Sequence, residues 1–234
     1  MQNSANKEGD LGMKKVRPMP AGDVKQPRTF HQLGIFVLDG SGSMKEGQST
    51  AKISLAQSVS YAVRNTFSRF KASAYSNNFS FAVVYYDEKA RVEVDITATK
   101  QTNDSRAYDP TVGLGGKTSI GAGLKEAKKL AEKFLAVQTE GGITKSVVIV
   151  VLSDGLDMTQ AETVSVANAL KSNPNITITT CFFETLGGDA DMIQEASTFL
   201  KGLCSDPVSG FINTSDPEVI RRFFVASVSN KKQI

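Results

Sequence analysis

Two runs of apolar residues are each followed by acidic side chains, and they constrain the fold more than any other feature of the sequence. Residues 33–38 precede Asp39, and residues 147–152 precede Ser153 and Asp154. An uninterrupted apolar run of this length is typical of a strand buried on both faces, as in a parallel sheet covered by helices. The runs therefore predict an α/β domain in which Asp39 and Asp154 lie at the carboxyl ends of buried strands.

Helix-like and strand-like segments alternate along most of the chain. Residues 92–96 alternate apolar and acidic side chains, which predicts a half-exposed strand that runs antiparallel at an edge of the sheet. Asp216, Pro217 and Glu218 provide a cap, a favoured first residue and an acid in the first turn of a final helix. This alternation predicts a doubly wound, mostly parallel sheet with helices on both faces. The other predicted helices cover residues 50–70, 121–137, 158–171 and 193–200, and the other predicted strands cover residues 79–86, 176–183 and 211–212.

The length and composition fit one globular domain preceded by a polar leader. The 234 residues are 40% hydrophobic and 22% charged, which is enough to bury one core. Residues 1–29 lack apolar periodicity, so we predict a disordered or loosely attached leader and one domain over residues 30–230. Residues 1–28 hold six Lys or Arg and three Asp or Glu, and the remainder holds 21 of each, so the net charge of +3 lies in the leader. Such a weak basic charge does not indicate nucleic-acid binding.

Several features favour a cytoplasmic protein. No apolar run approaches the length of a membrane span. Residues 1–30 lack the continuous apolar core of a secretory signal peptide. The chain has two cysteines, Cys181 and Cys204. We expect both to be reduced and half-buried, which suits a reducing compartment, and a disulfide between them is the alternative.

Asp39, Ser41 and Ser43 alternate with glycines directly after the first predicted strand. In an extended segment alternate side chains point the same way, so the three oxygen-bearing side chains can converge on one point. The intervening glycines permit a tight turn. Short, hard oxygen ligands suit Mg²⁺ better than zinc or copper. The alternative interpretation is a turn rich in serine and glycine, in which Asp39 caps the next helix.

Two further segments add oxygen-bearing side chains. Asp154 places a second carboxylate at the edge predicted for Asp39, although Asp-Gly is also a common turn or helix cap. The glycine-rich loop over residues 115–121 supplies Thr118 and Ser119, whose hydroxyls can approach a metal or cap the following helix. The Gly-Lys-Thr sequence of this loop does not indicate a nucleotide phosphate loop, because Thr111 stands where that motif requires glycine.

Together, the three segments resemble the metal-ion-dependent adhesion site of the von Willebrand factor A family. Asp39-x-Ser41-x-Ser43 is followed by Thr118-x-Ile120-Gly121 and Ser153-Asp154-Gly155 in the matching order, and the resemblance covers about residues 31–230. It implies a six-stranded doubly wound sheet with one antiparallel edge strand, and an intracellular microbial type of domain. Lys117 interrupts the Gly-Gly-Thr of many members, so Ser119 stays an alternative to Thr118.

The resemblance also implies how Mg²⁺ or Mn²⁺ is bound. Three hydroxyls, those of Ser41, Ser43 and Thr118, contact the ion directly, whereas Asp39 and Asp154 act directly or through water. An open coordination position then binds an Asp or Glu carboxylate of a partner protein. Microbial domains that this chain resembles often work beside ATPases, or beside kinases and phosphatases, which makes such systems the expected source of the partner.

The sequence favours binding over catalysis. His31 is the only histidine and lies just before the first predicted strand, which makes a serine–histidine triad an unsuitable explanation. Ser41 replaces the second acid of the Asp-x-Asp found in aspartyl-phosphate phosphatases. We therefore expect a Mg²⁺-dependent protein-interaction module rather than an enzyme. The alternatives are a metal-dependent phosphohydrolase and an exported adhesin.

Overall fold

A six-stranded sheet forms the centre of the protein, whose computed structural model describes residues 29–46, 49–185 and 189–229. The leader expected over residues 1–29 therefore lies, except for its last residue, outside the described residues. The strands are β1 (Phe30–Asp39), β2 (Phe79–Tyr86), β3 (Ala90–Ala98), β4 (Thr144–Ser153), β5 (Ile176–Phe183) and β6 (Phe211–Thr214). The helices are α1 (Gly42–Glu46), α2 (Leu55–Lys71), α3 (Ile120–Ala136), α4 (Gln160–Lys171), α5 (Ala190–Leu203) and α6 (Pro217–Ser229).

The strands lie in the order β3-β2-β1-β4-β5-β6. Neighbouring strands are parallel except for β2 and β3, which pair in antiparallel fashion. Strand β3 lies at the edge, and its residues are partly buried or exposed. The alternating apolar and acidic side chains of residues 92–96 predicted this half-exposed strand. The fold class expected from the sequence, a doubly wound and mostly parallel sheet with one antiparallel edge strand, is confirmed.

Helices cover both faces of the sheet, and the central strand β4 contributes apolar side chains to each face. Ile149 and Val151 belong to the core cluster that contains side chains of α3, α4 and α5, whereas Val148 and Val150 pack with those of α2 and α6. Apart from the slightly accessible Val148, these four side chains are completely buried. The uninterrupted apolar run therefore reflects burial on both faces of the strand.

The largest differences from the sequence prediction occur at the ends of helices. Helix α2 begins at Leu55 rather than near residue 50, because Ser54 forms a reciprocal cap with Gln57. The Gln57 N–H donates to Ser54 Oγ, and the Ser54 N–H donates to Gln57 Oε1. Ile53 and Val137 fall within the predicted helices, but they lie outside α2 and α3 and are 39% and 61% exposed.

Neither cysteine forms a disulfide. Cys181 lies in β5 and Cys204 directly follows α5, and both are free and buried rather than half-buried. Burial raises the pKa of each thiol, so neither side chain has the character of a reactive thiolate.

No helix among the described residues combines the length and the apolar character needed to cross a membrane.

The strand order places the ends of β1 and β4 side by side. The chain moves from β1 to one side of the sheet and from β4 to the other, so the direction of winding reverses between them. Leu38 pairs with Leu152, and the next residues, Asp39 and Ser153, therefore lie on adjacent strands at the carboxyl edge. Ligands of doubly wound sheets bind outside such a point of reversal. The fold thus brings together the two segments that carry the predicted carboxylates.

The core position of Ile149 leads to a stability prediction. Its side chain is completely buried, so Ile149→Ala should lower the free energy of unfolding by ~2–5 kcal/mol, because the lost methyl groups leave a cavity. Val208→Ala is the matched control, since Val208 is 92% exposed and should change stability little. Urea unfolding measures both variants. Equal stabilities of the two would contradict the assignment of β4 as the central strand.

Candidate metal centre

Asp39 is the most deeply buried acid at the carboxyl edge. It ends β1, and its side chain is inaccessible to solvent. The Ser41 N–H donates to Asp39 Oδ1 at 2.8 Å, and Ser153 Oγ donates to Asp39 Oδ2 at 2.6 Å. Burial raises the pKa of Asp39, while these hydrogen bonds act in the opposite direction. One carboxylate therefore joins the turn after β1 to the end of β4.

Ser41, Ser43 and Asp154 form a continuous chain of polar atoms. Ser41 Oγ lies 3.1 Å from Ser43 Oγ, within hydrogen-bond distance, and Ser43 Oγ donates to Asp154 Oδ1 at 2.9 Å. The expected proximity of the two serines is present, but the expected extended segment is wrong, since Ser43 lies in helix α1. The bond from the Ser41 N–H to Asp39 turns the chain at this point, as the turn alternative expected, but the bonded N–H precedes α1 and is not a helix cap.

Asp154 has an unfavourable electrostatic environment. Its side chain is 9% exposed, and its Oδ2 atom has no hydrogen-bond partner among the described residues. Burial, together with the nearby charge of Asp39, raises the pKa of Asp154 to about 7. A buried carboxylate oxygen without a partner is costly, because its hydration is not replaced. A proton or a cation near Asp154 would remove this cost.

The loop before α3 carries the two alternative hydroxyls, and their surroundings differ. Ser119 Oγ lies 2.9 Å from Thr159 Oγ1 and is therefore hydrogen-bonded. The Thr118 hydroxyl makes no hydrogen bond to any residue that the structure describes, while the Thr118 carbonyl accepts the Met158 N–H at 3.0 Å. The Gly42 N–H also donates to the Gly116 carbonyl, so this loop contacts the turn after β1. Thr118 is thus the better candidate for a ligand.

Asp157 is a functional candidate that the sequence analysis missed. It is 3% exposed, and its Oδ1 atom accepts hydrogen bonds from the Ile120 N–H at 3.1 Å and from the Thr159 N–H at 3.2 Å. Asp157 therefore caps helix α3 from a distant segment, where Ser119 provides no side-chain cap of its own. Its carboxylate fixes the Thr118 loop against the loop that carries Asp154. An acid three residues after Asp154 was the only signal in the sequence.

The irregular segment over residues 103–116 is packed against the same edge. Tyr108 is 1% exposed and anchors the segment in the core. A Cβ atom added at Gly40 would lie 2.3 Å from the Pro110 carbonyl oxygen, so only glycine allows this close approach to the turn after β1. The guanidinium of Arg91 donates to the Val112 carbonyl at 2.6 Å. The segment is therefore held from both sides.

Asp87 holds the glycine-rich end of this segment. Its Oδ2 atom accepts the N–H groups of Gly115 and Gly116 at 3.2 and 3.0 Å. Partial burial acts to raise the pKa of Asp87, but hydrogen bonds from the backbone of Lys89, Gly116 and Gly115 outweigh it and lower the pKa. An ionised carboxylate thus fixes the loop that leads to Thr118.

The residues at this edge fit a hard divalent cation. Two carboxylates and three hydroxyls supply only oxygen atoms, the ligands that Mg²⁺ and Mn²⁺ prefer. Within the part of the chain that the structure describes, no group of three or more His, Cys, Asp or Glu side chains could hold a metal ion. A cation would therefore depend on hydroxyls and water for much of its coordination. The unpartnered Oδ2 atom of Asp154 is the feature that a cation would satisfy most directly.

The fold and this edge define an α/β domain with oxygen-bearing side chains at the carboxyl ends of β1 and β4. The model of the von Willebrand factor type A domain matches residues 35–224, and the chain belongs to that family. Domains of this family mediate protein interactions, including adhesion. No curated protein sequence is significantly similar to the chain.

Solved structures share the fold at low sequence identity. The open conformation of the pilus adhesin SpaC from Lactobacillus rhamnosus GG is 12% identical with a TM-score of 0.69, and the match covers 88% of this chain and 30% of that one. A von Willebrand factor type A protein from Catenulispora acidiphila is 17% identical with a TM-score of 0.60, covering 86% and 44%. The PilB minor pilin from Streptococcus sanguinis is 13% identical with a TM-score of 0.58, covering 86% and 61%. The chain thus spans less than two thirds of each of these proteins, and identities this low show the fold alone.

The raised pKa of Asp154 leads to a prediction about stability and pH. The folded metal-free domain retains a proton on Asp154 at pH values where the unfolded chain has lost it. The stability of the domain therefore falls as the pH rises from about 4 to about 7. Asp154→Asn removes this effect. In EDTA, the free energy of unfolding of the variant minus that of the wild type should increase by an amount on the order of 2–4 kcal/mol as the pH rises over that range. Urea unfolding at several pH values measures the difference.

Asp104→Asn is the control for this prediction, because the pKa of Asp104 is lowered by hydrogen bonds from Lys71 and Ser68. The Asp104 carboxylate stabilises the domain at neutral pH, and this stabilisation is lost only as the pH falls below about 4. The difference between Asp104→Asn and the wild type should therefore be constant between pH 4 and 7. Parallel curves of Asp154→Asn and the wild type over the same interval would show that Asp154 titrates normally.

Proposed function

We propose that this domain is a Mg²⁺-dependent protein-interaction module that binds an acidic side chain of a partner protein. The observation that carries the proposal is the environment of Asp154, which is buried near Asp39 and has an unpartnered Oδ2 atom. A divalent cation would compensate both carboxylates at once. Mn²⁺ has the same ligand preference and would replace Mg²⁺.

The residues proposed to hold the ion lie on three segments. Both oxygens of Asp39 already accept a hydrogen bond, which favours contact with the ion through water rather than directly. The carboxylates then neutralise the ion incompletely. When bound, the ion supplies an open coordination position that attracts the carboxylate oxygen of a partner. The proposed set is Asp39, Ser41, Ser43, Thr118 and Asp154, which corresponds to a metal-ion-dependent adhesion site.

We propose binding rather than catalysis as the activity of this edge. His31, the only histidine of the chain, is hydrogen-bonded through Nε2 to Ser80 Oγ near the start of β1. His31 and Asp39 are eight positions apart along the strand, roughly 26 Å, so His31 cannot act as a base there. A metal-dependent phosphohydrolase is the alternative from another class. Turnover of p-nitrophenyl phosphate with Mg²⁺ that disappears in Asp39→Ala would support that alternative.

The proposed location is the cytoplasm. The free thiols of Cys181 and Cys204 suit a reducing compartment. By the family resemblance, the proposed partner is an ATPase or a component of a kinase and phosphatase system, as in microbial domains of this kind. An exported adhesin is the alternative, and the pilus adhesin named above has the same fold.

Metal binding tests the proposal directly. Titration calorimetry of the metal-free domain with Mn²⁺ should show one site, because the oxygen ligands converge at one edge. Asp39→Ala/Asp154→Ala should abolish the heat of binding, since it removes both carboxylates. Asp104→Ala/Asp206→Ala removes the same charge from two acids outside the site and should bind Mn²⁺ like the wild type. Equal binding by the wild type and the Asp39/Asp154 variant would overturn the proposal.

A further inference from the structure

Two large apolar side chains are exposed on the loops that surround the candidate metal centre. Val112 is 62% exposed, and Met158 is 64% exposed. Val112 lies between Pro110 and Gly116, whose carbonyl groups both approach the turn after β1. Met158 follows Asp157 in the loop that carries Asp154. Both residues therefore lie on loops whose backbone contacts the site.

Hydrogen bonds to the backbone hold the two loops in place. The Met158 N–H donates to the Thr118 carbonyl at 3.0 Å, and the Val112 carbonyl accepts the guanidinium of Arg91 at 2.6 Å. Loops fixed in this way lose little conformational freedom when a partner binds, so contacts with them contribute more to affinity. Single exposed apolar residues are common on protein surfaces, but these two coincide with the loops that contact the site.

Two lysines lie close to the proposed ligands along the chain. Lys45 lies two residues after Ser43, and Lys117 lies one residue before Thr118; both are exposed. Neither forms an ion pair within the part of the chain that the structure describes. The carboxylate of Asp87 is occupied by N–H groups of the glycine-rich loop, and Glu88 lies beside the Lys117 N–H at 3.4 Å. The two ammonium groups are thus available to an acidic ligand.

We propose that Lys45, Val112, Lys117 and Met158 form a docking surface, here called the rim, for a short acidic segment of a partner protein. One carboxylate of the segment occupies the metal centre, an apolar side chain next to it packs on Val112 or Met158, and further acids face the lysines. The inference rests on the proposed function, because it assigns the specificity of that same site. It goes beyond the proposed function because it names the residue pattern that the partner must carry.

The chemistry of the rim favours a peptide over a nucleic acid. Phosphate groups would meet the lysines as readily as carboxylates do, so charge alone does not separate the two kinds of ligand. A sugar–phosphate backbone gives Val112 and Met158 no apolar group to contact. An acidic residue beside an apolar one satisfies both kinds of side chain. Electrostatic attraction then guides the encounter, and the apolar contact lengthens the life of the complex.

A random-sequence peptide library tests the rim. Peptides are selected on the wild-type domain in Mg²⁺ and recovered with EDTA, and the affinity of synthesised peptides is measured by fluorescence anisotropy. The recovered peptides should combine an Asp or Glu with a neighbouring apolar residue. Val112→Ser/Met158→Gln should weaken their binding about tenfold, because the apolar contact is lost. Lys45→Glu/Lys117→Glu should also weaken peptide binding, and the loss should be larger at low salt than at high salt.

Val137→Ser/Val208→Ser is the matched control, since these valines are 61% and 92% exposed at the opposite edge of the sheet. It should leave peptide affinity unchanged. If Mg²⁺-dependent peptides bind the Val112/Met158 variant as tightly as the control, the rim is overturned while the proposed function stands. If no recovered peptide depends on Mg²⁺ and on Asp39, the proposed function fails and the rim fails with it.

Discussion

The hydrogen bond from Ser153 Oγ to Asp39 Oδ2 is the interaction on which the rest of the edge depends. It joins the ends of β1 and β4, the two strands between which the winding of the sheet reverses. The other oxygen of Asp39 accepts the Ser41 N–H and turns the chain into α1. One buried carboxylate therefore sets both the direction of the chain and the position of the serine hydroxyls.

The second carboxylate makes this arrangement electrostatically unfavourable unless it is compensated. Asp154 directly follows Ser153, is nearly buried, and has one carboxylate oxygen without a hydrogen-bond partner among the described residues. Like charges held close at low solvation raise the pKa of one or both groups. The loop that carries Thr118 is meanwhile held by hydrogen bonds to Asp157 and Asp87. A divalent cation is the compensation proposed here, and the fixed loops then define what can approach it.

The sequence predicted the parts of the site that depend on local patterns. Apolar runs ending in Asp39 and Asp154 are visible as such, because a strand buried on both faces needs continuous apolar side chains. The contact of Asp157 with Ile120 was not predictable, since it joins residues that are 37 positions apart. The helical conformation of Ser43 was also missed, because the five-residue helix α1 is too short to show apolar spacing. The prediction of a helix end failed where a capping residue such as Ser54, and not the apolar pattern, determines the first residue of the helix.

Burial beside Asp39 leaves one oxygen of the Asp154 carboxylate without a partner in the described part of the chain, and we propose that a divalent cation satisfies it. The most direct measurement is a carbon-13 NMR titration of the Asp154 carboxyl, assigned by comparison with Asp154→Asn. In EDTA, we expect a pKa of about 7 for Asp154. Saturating Mg²⁺ should lower that pKa well below its metal-free value, since the ion favours the charged form. An ordinary aspartate pKa in EDTA, or a titration unchanged by Mg²⁺, would contradict a metal site at Asp154.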